Sequence, residues 1–189
     1  GISTFPYSLK DFFLEGTQQV SASWITLENL SFPYCISINS SYIYEQSTDE
    51  RINQNDAAIT LAHELGHYLG LRHVFSEGGT TSMCTDTDYC KDTPSYNRSE
   101  YEQWLNNLDK QKKYQLKDLA KRYSCEKGEY EAHNIMDYAY CFYNEITLEQ
   151  RKRIRHILNY SPLIPGPKES RIDTRGVQGR LNLPICIMK

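Results

Sequence analysis

The chain has 189 residues, with 21 Lys plus Arg against 24 Asp plus Glu, a formal net charge of −3 and a pI near 6.0, which argues against nucleic acid as a partner because phosphate binding needs a basic surface. Hydrophobic residues make up 39% and mean hydropathy is −0.64, polar for a globular protein but with enough apolar mass for one core, so a single domain is expected. No stretch approaches the ~20 apolar residues of a transmembrane helix and the first residues lack the layout of a signal peptide, so the chain reads as soluble, with any targeting segment removed.

In chain order, Gly1 to Pro6 reads as a short strand and residues 7–33 as a polar connection without strong period. Residues 34–44 place Ile36, Ile38, Tyr42 and Tyr44 on one side of a period-two pattern with Ser37, Asn39 and Ser41 on the other, which predicts a strand with one wet face at a sheet edge. From Asn55 to Leu69 the apolar residues Ala57, Ala58, Leu61, Ala62, Leu65 and Leu69 recur at spacings of three and four, predicting a helix with Asn55 as N-cap and Gly70 as its stop.

A Gly, Thr, Cys and Asp-rich loop covers about residues 76–96. Beyond it Tyr101, Trp104, Leu105, Leu108, Leu116, Leu119, Ala120 and Tyr123 mark an amphipathic helix or helix pair, with lysines on its solvated face. Thr147 to Gln150 form a capping box before Ile154, Ile157 and Leu158, predicting a helix over 148–159 that Pro162, Pro165 and Pro167 end. The last twenty residues read as an extended tail in which Leu181, Leu183, Ile185 and Ile187 alternate.

Six cysteines, at 35, 84, 90, 125, 141 and 186, include no CxxC pair and do not read as a zinc ribbon, so disulfides in an oxidising compartment are a better reading than free thiols, with 15 full pairings open. Asn29, Asn39, Asn97 and Asn159 stand in Asn-x-Ser sequons, which matter only in a eukaryotic source.

The chemistry concentrates at residues 63–73, His-Glu-Leu-Gly-His-Tyr-Leu-Gly-Leu-Arg-His. His63 and His67, four apart on a helix, share one face and can put imidazole nitrogens on one ion. Glu64 lies about a quarter-turn round, where its carboxylate can reach a water on the metal without being a ligand, as a general base must. An uninterrupted helix would point His73 away from the first two ligands, but Gly70 can take the left-handed conformation that ends a helix and brings His73 back. Three neutral imidazoles leave a fourth position open, the pattern of a catalytic rather than a structural zinc site. A lone HExxH arises by chance often enough to mean little, but Gly70 and His73 at fixed offsets lower that chance by about a further factor of a thousand. His133 and His156 fall outside the pattern, and a surface or capping role is expected for them.

The run HELGHYLGLRH, followed about sixty residues later by Asn134-Ile-Met-Asp-Tyr138, resembles the metzincin zinc endopeptidases. The His-Tyr-Leu-Gly-Leu run, Asp92-Thr-Pro94 and Asn-Ile-Met-Asp-Tyr make it more similar to the pappalysin branch, and the segment from Asn159 to Pro167 is similar to zinc-dependent metalloproteinase lipoproteins of Bacteroides-type bacteria. The resemblance implies an α+β, metzincin-like zincin domain over residues 1–168: a mixed sheet with an edge strand, an active-site helix, a Met-turn and a C-terminal helix, with 169–189 as the tail. Because only 62 residues precede His63, the N-terminal strands and backing helix of such domains are expected to be missing from this chain.

The same resemblance implies His63, His67 and His73 as zinc ligands, Glu64 as general base and acid, Met136 as the Met-turn residue and Tyr138 as a phenol that stabilises the tetrahedral intermediate. It also implies a calcium site at Asp86, Asp88 and Asp92 and two disulfides among Cys84, Cys90, Cys125 and Cys141, in a pairing left open. Ala139 and Tyr140 offer no acidic residue of the kind that gives relatives a preference for Arg or Lys. The expected function is zinc-dependent hydrolysis of peptide bonds in a protein or peptide substrate, outside the cytoplasm: secreted, periplasmic or lipid-anchored. The competing function is a non-catalytic secreted or lipid-anchored binding protein that keeps a structural zinc site, for which Glu64 would have no use.

Overall fold

The structure is a computed structural model that describes residues 1–26, 28–30, 34–39, 57–76, 87–124, 126–138 and 140–164. The expected N-cap Asn55, the later part of the strand predicted to Tyr44, Asp86, Cys84, Cys125, Cys186 and the C-terminal tail lie outside the described residues.

Two strands open the chain, β1 (Ile2–Ser3) and β2 (Tyr7–Leu9), followed by a 3-10 turn (Lys10–Phe12), β3 (Gln18–Val20), a second 3-10 turn (Ala22–Trp24) and β4 (Ile36–Ser37). β1 and β4 pair antiparallel, Ile2 opposite Ser37, while β2 and β3 pair parallel, Tyr7 opposite Gln18. The segment expected as a featureless connection therefore holds a strand pair, pinned by buried Ser8, whose hydroxyl bonds to that of Thr17 at 2.6 Å and accepts from Leu14 N. Period-two reading misses such a pair because each strand is only three residues long, with one buried residue apiece, Ser8 and Val20.

Helix α1 (Ala57–Tyr68) follows, then α2 (Arg98–Asn106), capped by the Asn97 side chain on Glu100 N, and the single turn α3 (Leu116–Leu119). The helical stripe predicted to run on through Tyr123 is broken at Ala120: Lys121–Ser124 is strand β5, paired antiparallel with β6 (Gly128–Glu131). Its alternation was hidden because the inward residues are Arg122 and Ser124, while Tyr123 is 69% exposed. Helix α4 (Leu148–Tyr160) begins with the expected capping box, the Thr147 side chain accepting from Gln150 N and Gln150 reaching back to Thr147 N. The described residues thus form a mixed α and β structure with three separate two-stranded sheets rather than one continuous sheet.

The apolar interior is split into small clusters. Tyr34, Ile157 and Ile164 pack under the end of α1, Leu71, Val74 and Met136 pack beneath its last turns, and Phe75, Tyr96 and Tyr101 join the loop after α1 to α2.

Between the last two clusters lies a buried polar network. Arg122 is fully buried and stands 3.4 Å from Asp137, and it donates to the carbonyls of Leu119, Tyr138 and Tyr140. Asp137 also accepts from Tyr96 Oη at 2.5 Å and Tyr138 N at 2.7 Å. Burial works against the Arg122 charge, but Asp137, Tyr96 and Tyr101 outweigh it and hold the guanidinium charged. Removing one partner of such a pair leaves an uncompensated buried charge. Arg122→Met should therefore cost about 3–5 kcal/mol in denaturant unfolding, and adding Asp137→Asn should recover part of that loss. Additive losses would show that the two groups do not depend on each other.

Candidate metal centre

Helix α1 carries His63, Glu64 and His67, and its end is a glycine cap. Gly70 has φ of +87°, Gly70 N donates to His67 O at 2.9 Å, and Leu71 N donates to Gly66 O at 2.9 Å. These are the two bonds of a Schellman motif, with glycine at the left-handed position and buried Leu71 following it. The reversal brings His73 back over the helix, so that His73 Nε2 lies 3.0 Å from His67 Nε2 and 3.3 Å from His63 Nε2.

Backbone carbonyls set the other two rings. His63 Nδ1 stands 2.7 Å from Ile135 O, and His67 Nδ1 stands 2.8 Å from Leu71 O. A carbonyl only accepts, so each Nδ1 carries the proton and each Nε2 presents its lone pair. Three nitrogens then face one another with too few hydrogens to join them, an arrangement that a cation between them resolves. Two ligand nitrogens at ~2.1 Å from a tetrahedral ion stand about 3.4 Å apart, close to the spacings here. The donor set fits zinc, and His63, His67 and His73 are the one such group among the described residues.

Burial pushes His63 down to about 4, aided by His67, and pushes His73 down to about 2, with His67 and His63 next in effect. In the unfolded chain the same imidazoles titrate near ~6.5, so below that pH the folded state binds fewer protons than the unfolded state. Metal-free protein should thus lose thermal stability as pH falls from about 6.5 towards 4. Melting scans in chelator across that range test this, and a flat Tm would contradict it.

Under the imidazoles runs the turn at residues 134–138. Met136 is fully buried with its Sδ against the Cα of Gly66, where any added Cβ would collide with it. Asn134 shapes this turn: its Oδ1 accepts from Met136 N at 2.9 Å, and its amide exchanges hydrogen bonds with fully buried Gln150 of α4. Gln150 was read from sequence only as a capping residue; it also joins α4 to the floor of the site. Arg153 was missed altogether. It donates from α4 to Gly70 O at 3.2 Å and Glu15 O at 2.9 Å, bracing the turn that carries His73.

Gly70 allows a sharp test, because a side chain there is strained at this φ and its Cβ would lie 2.8 Å from Ile157 Cγ1. Gly70→Ala should cost about 1–3 kcal/mol and weaken zinc binding measurably by competition with a chromophoric chelator. Unchanged affinity would mean that the reversal does not depend on glycine.

Glu64 is 7% exposed on the same helix, and its Oε1 lies 3.6 Å from the amino group of Gly1. The Tyr138 ring, 37% exposed, stands 4.4 Å from the ring of His73 and 5.3 Å from that of His63. All six residues read from the sequence as one site, His63, Glu64, His67, His73, Met136 and Tyr138, are thus brought together. His133 and His156 are not: His133 stacks on Phe142 and meets Asn144, and His156 Nε2 lies 2.9 Å from Phe12 O.

One expectation fails here and another is not shown. Asp88 accepts from Cys90 N and Thr93 Oγ1, and Asp92 Oδ2 accepts from Glu149 N at the start of α4. Asp86 lies outside the described residues, and calcium at this loop is not shown. Cys90 and Cys141, expected in disulfides, carry free thiols, and Cys35 does too. Burial pushes both Cys90 and Cys141 up to about 12, and the Cys141 thiol donates to Asn134 O at 3.3 Å, so each behaves as a small buried group.

A helix ending in a Schellman glycine, three converging imidazoles, an adjacent carboxylate and a methionine floor thus make a group that could hold one metal ion. The family model of peptidase family M43, described as pregnancy-associated plasma protein-A, matches residues 24–159. The chain belongs to that family. It is similar to the extracellular metalloproteases of Arthroderma benhamiae and Trichophyton verrucosum, each 37% identical over 108 residues covering 56% of this chain and 32% of the relative. It is also similar to the extracellular metalloprotease of Arthroderma otae, again at 37% over 108 residues and 33% of the relative. The chain spans about a third of the length of these relatives. No solved structure matches the chain. Among the described residues no helix is long and apolar enough to cross a membrane.

Proposed function

We propose that residues 1–168 are the catalytic domain of a zinc-dependent endopeptidase acting on protein or peptide substrates outside the cytoplasm. The observation that carries this is the convergence of three Nε2 atoms, two of them on rings whose Nδ1 faces a backbone carbonyl, beside a buried carboxylate that is not one of the three donors. His63, His67 and His73 would hold the zinc, which when bound would supply Lewis acidity. Glu64 takes a proton from the attacking water and returns it to the leaving amine. The Tyr138 hydroxyl donates a hydrogen bond to the developing oxyanion from the rim of the site. Met136 is the Met-turn residue: apolar, adaptable and packed on Gly66, it keeps water from the underside of the imidazoles.

The extracellular relatives support a location outside the cytoplasm, and the likeness of residues 159–167 to bacterial lipoproteins adds lipid anchoring to that proposal. Metal analysis of the purified chain, combined with cleavage of a mixed peptide library, tests the whole reading. About one zinc per chain and chelator-sensitive cleavage are expected. Zinc without cleavage of any peptide would leave a metal-binding protein and overturn the peptidase.

A further inference from the structure

Arg98 opens α2 immediately after the Asn97 cap, and its guanidinium is laid across the edge of the metal centre. Its Cζ lies 4.6 Å from the ring centroid of Tyr138 and 5.0 Å from that of Phe75. Both rings touch His73, Tyr138 at 4.4 Å and Phe75 stacked at 4.7 Å. The cation is therefore one aromatic ring removed from the third imidazole.

A guanidinium carries five N–H donors in a planar fork. In Arg98 the Nε donor meets Glu102 Oε1 one helical turn on, and among the described residues no acceptor faces Nη1 or Nη2. The side chain is 40% exposed. Held against two ring faces, it keeps its in-plane donors at its edge, the direction from which a carboxylate accepts two parallel hydrogen bonds. The ion pair with Glu102 is solvated on both sides and worth little, so it does not compete strongly with a second carboxylate. Arg122, the other arginine in this aromatic group, differs on every count: it is buried, faces Asp137 and has its donors spent on carbonyls.

We propose that Arg98 is a specificity-determining residue that binds a carboxylate of the substrate within about three residues of the bond cleaved, at the ~3.3 Å per residue of an extended chain. This rests on the peptidase reading. The carboxylate is that of an Asp or Glu side chain or the C-terminal carboxylate of a short peptide, and the two sources separate in the same experiment.

Zinc-loaded protein is assayed on peptides carrying Glu or Gln at each of the three positions on either side of the cleaved bond, each made with a free or an amidated C-terminus. At one position the kcat/KM ratio of Glu to Gln peptide should be about ten in the parent, close to one in Arg98→Gln, intermediate in Arg98→Lys and inverted in favour of a Lys peptide in Arg98→Glu. If the ratio depends on the free C-terminus instead, the terminal carboxylate is the ligand. Ratios are self-normalising, so a general loss of rate from a displaced Tyr138 ring does not mimic the result.

A Glu to Gln ratio that survives Arg98→Gln, or one near unity at every position and terminus in the parent, overturns the proposal. Binding of the same fluorescently labelled peptides to the Glu64→Gln protein, read by anisotropy, separates it from the reading it rests on. Arg98-dependent preference for the Glu peptide without cleavage by the parent would fail the peptidase and keep the carboxylate site, whereas cleavage and binding both blind to Arg98 would keep the peptidase and sink the site.

Discussion

Glu64→Gln should lower kcat/KM for peptide hydrolysis by about 10²–10⁴ while zinc content stays at the parental level. The two halves of this expectation come from different features. Glu64 is not among the three converging donors, so its loss leaves the imidazoles and their backbone partners in place. It is also 7% exposed, and glutamine matches it in shape, which keeps the packing of α1 while removing the ability to accept and hand on a proton. Paired measurements of bound zinc and of cleavage on one preparation decide the matter. Parental cleavage by this variant would take the general base away from Glu64, and loss of zinc would make it a ligand.

His67→Ala should remove both metal and activity. This imidazole has Nε2 3.0 Å from that of His73 and Nδ1 on Leu71 O. Substituting an outer partner of a ligand costs about 10–100-fold in affinity or activity; removing a ligand should cost more than that, leaving the protein metal-free under dialysis that the parent survives. Full zinc occupancy in His67→Ala would defeat the ligand assignment. Because alanine is a good helix former, far-ultraviolet circular dichroism should confirm that α1 persists, which keeps the loss assigned to the missing nitrogen.

Those two sites were readable because their spacing encodes geometry directly. Residues four apart on a helix must share a face, and Gly70 at the end of a periodic run must turn the chain, so the convergence of His63, His67 and His73 needs little besides local rules. Met136 and Tyr138 were placed only through a family likeness, since a buried methionine and one tyrosine among 15 carry no signal of their own. Helix α4 and its capping box were likewise visible, because Thr147 and Gln150 act within one turn.

What stayed hidden is held together by polar groups facing inward. Strand β5 turns Arg122 and Ser124 to the interior and Tyr123 to solvent, the reverse of the pattern that marks a half-buried strand, so its residues were absorbed into a helical stripe. The inversion makes sense only once Asp137 is known to wait 3.4 Å away, a partner fifteen residues further along that no local pattern couples to it. The free thiols of Cys90 and Cys141 were misjudged for a related reason. Cysteine number and crowding suggest staples, while burial and the hydrogen bond from Cys141 to Asn134 O reveal two small space-filling side chains.

The orientation of His63 and His67 comes from the main chain, through Ile135 O and Leu71 O. No side-chain substitution at 135 or 71 can delete those acceptors, so the tautomers of two ligands are insulated from ordinary point mutation. Changes that reroute the backbone are a different matter: a residue inserted between Gly70 and His73, or a proline that displaces the 134–138 turn, would rotate a ring without touching any group that meets the substrate. Sequence drift at these two positions is then constrained by volume alone, whereas length variation in the two turns is closed off. A designer transplanting the site to another scaffold would accordingly have to carry over two loop conformations, and could leave most of the loop residues behind.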